Sequence, residues 1–312
     1  MQRIAEPTLD SPRNTLMRYF AATRPGFLSV TFVGCLLGIA SALDTGVRLD
    51  PVTATVTLLF ALVAHAGANV LHDYYDALNG SDADNGDRIY PFTGGSRFIQ
   101  NGVLTTRETG RFGYGLMAVV IPAGLWLTAV SAQGLILIGL AGLFAGWAYS
   151  APPLRLMSRG LGEFAITAGW LLVVIGSDYV QRRSFSFQPI AAGLGFSLLV
   201  ANVLYMNQFP DVRADARAGK RTLVVRLGVA RARWGYALIA LLAYGWLFLS
   251  TLTGHLPPLA LLAIAPAVLS YAAARRLWVH ADDPSSLEPA IKSTILSAVL
   301  HGLVLAGVLA FN

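Results

Sequence analysis

Two short runs combine an asparagine with carboxylates at helical spacing. Asn69-Val-Leu-His-Asp73-Tyr-Tyr-Asp76 places its polar residues at i, i+4 and i+7. Asn207-Gln-Phe-Pro-Asp211-Val-Arg-Ala-Asp215 places them at i, i+4 and i+8. Residues three or four apart share a helix face, so each run makes one oxygen-rich stripe. Both stripes border apolar segments, where an unpaired charge costs several kcal/mol. Carboxylates that stay there usually have a cationic partner; here it would have to be added, and a divalent metal fits best. Mg²⁺ takes oxygen ligands and commonly binds through one or two carboxylates plus substrate phosphates. Two facing stripes would hold a diphosphate through such metals, with Asp73, Asp76, Asp211, Asp215, Asn69 and Asn207 as the ligand set. The plainer alternative is that these aspartates cap helix ends at the water interface. One run alone would leave the two readings even; the matched pair favours the metal. Pro210 interrupts the second stripe, and the expectation is that the helix kinks or ends there, leaving Asp215 on a loop.

A basic, glycine-containing loop follows each stripe. Thr93-Gly-Gly-Ser-Arg97 offers flexible backbone N–H groups and a guanidinium. Gly219-Lys220-Arg221-Thr222 offers a point charge, a fork and a hydroxyl. Taken alone, these charges need no role beyond orienting a membrane protein; their place beside the stripes points to phosphate binding. Tyr149 and Arg155 flank a Pro-Pro pair that ends a helix and could reach a phosphate from the side. Arg24, just ahead of Pro25, has the same two readings. Asp82, Asp84 and Asp87 could supply further ligands; the plainer reading makes them solvated loop acids. Glu163 reads as a helix cap, His65 as a packed bundle residue, and His72 as a neighbour of the first stripe that points away from it.

The elements that must position these groups are membrane helices. Of the 312 residues, 55% are hydrophobic and 13% charged, against roughly a quarter charged in soluble proteins, and mean hydropathy is +0.57. A span needs about 20 mostly apolar residues. Splitting the apolar runs at polar and Gly/Pro breaks predicts an all-α bundle of nine transmembrane helices, near 27–43, 52–76, 112–130, 134–150, 162–180, 188–209, 233–252, 257–274 and 293–311. With the amino terminus inside, all of the 23 Lys and Arg except Arg48, Arg182 and Arg183 fall on the cytoplasmic side, as the positive-inside rule favours. Both stripes then face the cytoplasm, and the net charge of +6 reflects topology without a nucleic-acid partner. The single Cys35 excludes an internal disulfide and a Cys-based zinc site. Residues 1–24 form a polar cytoplasmic segment without the apolar centre of a cleavable signal, so the first span stays as an anchor. The chain reads as one domain, 1–312. The recurrence of Asn-x-x-x-Asp with a basic loop suggests an internal repeat of about four helices.

Together these residues resemble the UbiA superfamily of intramembrane prenyltransferases, over nearly the whole chain. Four segments carry the likeness: Asn69 to Asp76, Gly94 to Gly102, Tyr149 to Glu163, and Asn207 to Gly228. The Asp-x-x-Asp form of the first motif is similar to the menaquinone branch; Asp178 departs from that branch's pattern. The resemblance implies Mg²⁺-dependent transfer of a polyprenyl group from an allylic diphosphate to an aromatic acceptor, with a dihydroxynaphthoate as the acceptor in that branch. It implies two ions held by Asp73, Asp76, Asp211 and Asp215 and oriented by Asn69 and Asn207. Arg97, Lys220, Arg221, Tyr149 and Arg155 would stabilise the departing charge. Arg24, Glu163 and Asp178 would line the acceptor side. It also implies a bacterial inner-membrane enzyme whose prenyl tail lies among the helices, open to lipid. Acceptors such as 4-hydroxybenzoate, homogentisate or haem stay open at this point. A cation- or proton-coupled transporter is the rival of another class, although the acids gather at one face with no trail to the other. A CDP-alcohol phosphotransferase would show a denser Asp signature than this chain has.

Overall fold

A computed structural model describes residues 5–10, 14–83 and 85–312. Asp84, Arg3 and Arg13 lie outside the described residues. The chain opens with a short helix α1 (Thr15–Ala22), followed by α2 (Leu28–Leu43), α3 (Pro51–Asn79), α4 (Thr106–Val130) and α5 (Leu135–Ser150). Then come α6 (Gly162–Arg182), α7 (Gln188–Arg217), a short α8 (Leu223–Leu227), α9 (Val229–Leu252), α10 (Ala267–His280) and α11 (Glu288–Phe311). Among the described residues eight helices are long and apolar enough to cross a membrane. The ninth expected span, α5, is apolar but runs only Leu135–Ser150. The protein is an integral membrane protein with an all-helical fold.

Local chemistry sets the ends of the two helices that carry the stripes. Asp50 caps α3, its side chain accepting from the N–H groups of Val52 and Thr53, with Pro51 at the first helical position. Gly80, in the left-handed region at φ 80°, closes it. α7 differs from expectation. Pro210 sits inside the helix, which continues to Arg217. A proline inside a helix removes one backbone bond and crowds the preceding turn. Here the helix is the most enclosed of the spans and packs on α2, α6, α9 and α11, and Pro210 itself is buried. Packing on every side outweighs the local break, so Asp215 is a helical residue and the second stripe is continuous.

The largest core joins α2, α6, α7, α9 and α11 around Leu37, Phe196 and Leu305. At Gly38 a side chain would collide with the Val174 carbonyl of α6, so only glycine permits this approach of α2 to α6. The span through α10 begins as a 3₁₀ segment, Pro258–Ile264. His301 Nδ1–H donates to the Ala263 carbonyl at 2.8 Å, satisfying an acceptor that the broken helix leaves in the bundle.

Candidate active site

The C-terminal halves of α3 and α7 bring the two stripes together at one end of the bundle, and each following loop crosses to the opposite stripe. After α3 the chain folds back so that Asn85 Nδ2 donates to Asp211 Oδ1 at 2.6 Å and the Gly94 N–H points at Asp211 Oδ2 from 3.4 Å. The Ser96 N–H donates to Asp73 Oδ2 at 3.1 Å. After α7, Lys220 returns to α3. Its Nζ lies 2.6 Å from Asp76 Oδ2 and 3.5 Å from Asp215 Oδ1. Burial pulls the ammonium toward neutrality, but Asp76 and Asp215 outweigh it and hold Lys220 charged, above its ordinary range. The cationic partner that the stripes require is thus supplied in part by the chain itself, rather than wholly by an added ion.

Asp82 corrects the plainer sequence reading. It is buried, at 5% exposure, and lines the cavity with the stripes. Burial first, then the Asp76 and Asp73 charges, push it well above the usual carboxylate range. Gly95, at φ 73°, lets it lie there: a side chain at Gly95 would collide with Asp82 Oδ2 and stand against Asp73 Oδ1. Asp87 fits its loop role, pairing at 3.2 Å with Arg213.

The stripes open into a cavity of about 480 Å³. Its polar end carries Arg24, Asn69, Asp76, Asp211, Asp215 and Lys220, and Tyr149 and Asn207 also line it. From there it runs between α3, α4, α5 and α6 to Thr57, Leu127, Leu135 and Val180. Along α3, Asp76 to Thr57 spans roughly 28 Å at 1.5 Å per residue, close to the hydrocarbon thickness of a bilayer. Arg24 donates to the Phe92 carbonyl at 2.9 Å and stacks over Phe27. Asn69 Nδ2 donates to the Thr23 carbonyl at 3.0 Å. Tyr149 packs on His72, whose Nδ1 lies 2.9 Å from Ser150 Oγ and whose Nε2 lies 3.4 Å from Asp76. His72 therefore belongs to the stripe it had been expected to avoid. His65 is the packed residue expected, bonded to Thr31 and set edge-on to Trp170.

Three basic residues stand elsewhere. Arg97 is buried behind the loop, with Nη1 donating to the Asp82 carbonyl and Nε 3.7 Å from Glu6. Arg155 and Arg221 are exposed and outside the cavity lining. Glu163 stands in the first turn of α6, as expected, and also accepts from Gln208 of α7, whose Oε1 in turn accepts the Val224 N–H at 3.2 Å, so it ties two helices as well. Asp178 lies far from the stripes, locked to Arg182 at 2.6 Å. Asn85, Gln208 and Trp170 line or support the site without having been anticipated; Asn85 alone had a signal, in the acid-rich run Ser81–Asp87.

The donor set suits a hard divalent cation. Asp73 Oδ1, Asp82 Oδ2, Asn85 Oδ1, Asn207 Oδ1 and Asp215 Oδ2 are all buried with no hydrogen-bond partner. Buried acceptors of this kind call for a donor or a cation. Among the described residues no three Asp, Glu, His or Cys side chains converge as a ready-made ion site.

The model of the UbiA prenyltransferase family matches residues 28–292. The chain belongs to the UbiA prenyltransferase family. It is a prenyltransferase, which sets the transporter reading aside. It is 30% identical over 300 residues to the 1,4-dihydroxy-2-naphthoate octaprenyltransferase of Escherichia coli (strain K12), covering 92% of each chain. To the enzyme of the same name from Bacillus subtilis (strain 168) it is 27% identical, covering 91% of this chain and 89% of the relative. The solved structure of a UbiA homolog from Archaeoglobus fulgidus bound to DMAPP and Mg²⁺ superposes with a TM-score of 0.59 at 17% identity, covering 92% of this chain and 99% of that one. That likeness concerns the fold.

Proposed function

We propose that this UbiA-family protein transfers a polyprenyl group from an allylic diphosphate to 1,4-dihydroxy-2-naphthoate, in Mg²⁺-dependent menaquinone synthesis at the bacterial inner membrane. The observation that carries the diphosphate half is the set of unpartnered buried oxygens where the two stripes meet: those of Asp82, Asn207 and Asp215 line the polar end of the cavity, and those of Asp73 and Asn85 stand outside its lining. The acceptor rests on the two similar enzymes whose names specify that naphthoate. The cytoplasmic orientation rests on the positive-inside pattern.

Asp73, Asp76, Asp211 and Asp215, with Asn69 and Asn207, would hold Mg²⁺, and Asp82 would join that set. The ion would supply charge neutralisation for the leaving diphosphate. Lys220, held between the stripes by Asp76 and Asp215, would add the charge of its ammonium beside the leaving group, and the Gly94 and Ser96 N–H groups orient Asp211 and Asp73. Arg24 and Tyr149 border the phosphate space from the other side. The apolar walls take the prenyl tail and keep water from the allylic cation. In the reaction the C1–O bond breaks with its electron pair leaving on diphosphate. The electron-rich ring carbon bonds to C1, and the ring loses its carboxylate as CO₂.

A competition assay tests the acceptor. Purified protein, Mg²⁺ and one polyprenyl diphosphate are offered equal dihydroxynaphthoate and 4-hydroxybenzoate, with products read by mass spectrometry. Prenylated naphthoquinol with evolved CO₂ is expected. Prenylated hydroxybenzoate alone would refute the acceptor and leave prenyl transfer intact.

A further inference from the structure

Helix α1 divides its surface in an unusual way for a segment outside the spans. Leu16, Met17 and Phe20 are exposed at 78%, 54% and 56% and, at i, i+1 and i+4, share one face. Leu9, ahead of it, is 64% exposed. The other face is buried in protein. Ala22, with Tyr19 and Ala21, packs on Phe98, Val103 and Leu104 of the loop that follows α3, and the Tyr19 ring meets Phe112 of α4 edge-on at 4.8 Å. Only Thr23 and Arg24 separate α1 from Pro25, where the first span begins. The helix that bears the exposed apolar face thus stands two residues ahead of the first candidate span.

The same segment is wired to the acidic site. Glu6 accepts from Arg88 at 2.7 Å and from Asn101 at 3.2 Å, and Asn101 also donates to the Pro7 carbonyl at 2.9 Å. Thr23, at the end of α1, gives its carbonyl to Asn69. The clamped loop is the one whose Gly94 and Ser96 N–H groups touch Asp211 and Asp73.

We propose that α1 lies in the membrane surface, its Leu16–Met17–Phe20 face sunk into the headgroup–acyl boundary on the site side, and that this seat holds the loop over the phosphate space. Amphipathic helices bury such a face about 5–10 Å into that boundary. A substrate whose tail is in lipid then meets a loop braced by the same lipid. The seat itself does not depend on the acceptor; the bracing of a phosphate loop rests on the prenyltransferase reading.

The test uses the full chain in liposomes of phosphatidylglycerol and phosphatidylethanolamine, in a Cys35→Ala background. Nitroxide labels are placed at Leu16→Cys, Phe20→Cys and, as a water-exposed control, Ser285→Cys. The first two should collide with oxygen several-fold more, and with a water-soluble nickel chelate several-fold less, than the control. Equal chelate access at all three would overturn the seat. Shielding from both reagents with dipolar broadening would also overturn it, showing a second copy of the chain on this face. For the bracing, Leu16→Asp/Phe20→Asp should lower turnover at least fivefold in liposomes and raise KM for the prenyl diphosphate, with thermal unfolding as in the parent. Unchanged kinetics with membrane-seated labels would refute the bracing alone. Absence of prenyl transfer in the parent itself would instead count against the functional reading.

Discussion

A buried cluster of carboxylates and a single buried carboxylate, Asp178, lie at opposite ends of the bundle, and they are finished differently. Far from the stripes, Asp178 has both oxygens occupied. Oδ1 accepts from Ser41 Oγ at 2.8 Å and from Arg182 Nη2 at 2.6 Å, and Oδ2 accepts from Arg182 Nε at 2.8 Å. Arg182 then donates onward to Thr45 and to the Ser41 carbonyl. A buried ion pair persists when its geometry is good and its remaining lone pairs are used. At the stripes, Asp73, Asp82 and Asp215 each keep one buried oxygen with no partner. The protein saturates Asp178 and leaves the stripe cluster short of cations, which is how a structural carboxylate differs from one built to receive a ligand.

The sharpest way to break this comparison is to substitute one carboxylate from each end. Asp73→Ala or Asp211→Ala should lower turnover by about 100-fold or more, the scale of removing a preorganised electrostatic contact, with thermal unfolding nearly unchanged. Excess chelator should abolish product and leave the fold intact. Asp178→Asn should do the reverse: breaking a buried pair by removing one partner costs about 3–5 kcal/mol of stability, while turnover per folded molecule stays within about twofold. Calorimetry beside initial rates separates the two. Equal loss of activity at both ends would end the distinction.

Lys220 comes next, because it is the cation the chain supplies for itself. Lys220→Met should lower turnover by roughly tenfold to 100-fold through loss of charge near the leaving group. It should also tighten the binding of Mn²⁺ alone, since Asp76 and Asp215 lose their competitor for the ion. A Lys220 needed only for folding would leave metal affinity unchanged. Asp82→Asn should cost about tenfold in turnover, less than the stripe carboxylates, as expected for a supporting ligand carried on a loop.

The spans were legible because apolar runs of membrane length have few other meanings, and the stripes because i, i+4 spacing is a property of the helix alone. Asp178 and Arg182 also stand four apart, so their pairing was available from the same rule. Three features were not legible. Pro210 forbids helix continuation locally, and only the enclosure of α7 reverses that. The return of Lys220 to Asp76 crosses 144 residues of sequence separation. The folding of Asp82 into the cavity depends on Gly95 adopting a left-handed conformation, which glycine permits without announcing. Each is a tertiary fact that no local pattern encodes.

The smallest effects should come from the arginines that sequence proximity had drawn into the site. Arg155 and Arg221 belong to the motifs, yet both are exposed and outside the cavity lining. Arg221 enters the structure through its backbone: its N–H donates to the Ser158 carbonyl at 2.9 Å, and its own carbonyl accepts from Arg226 Nε at 2.8 Å. Neither contact needs the Arg221 guanidinium, so Arg221→Ala keeps the geometry that brings Lys220 to Asp76. A solvated charge at the rim is screened within about 10 Å at ordinary ionic strength and contributes through steering of the diphosphate. Arg155→Ala and Arg221→Ala should therefore change turnover by less than about threefold, with any effect fading between low and high salt. The measurement is kcat and KM for the prenyl diphosphate at two salt concentrations. A salt-independent loss comparable to that of Lys220→Met would mean that the loops move inward on the substrate and that these arginines reach the phosphates after all.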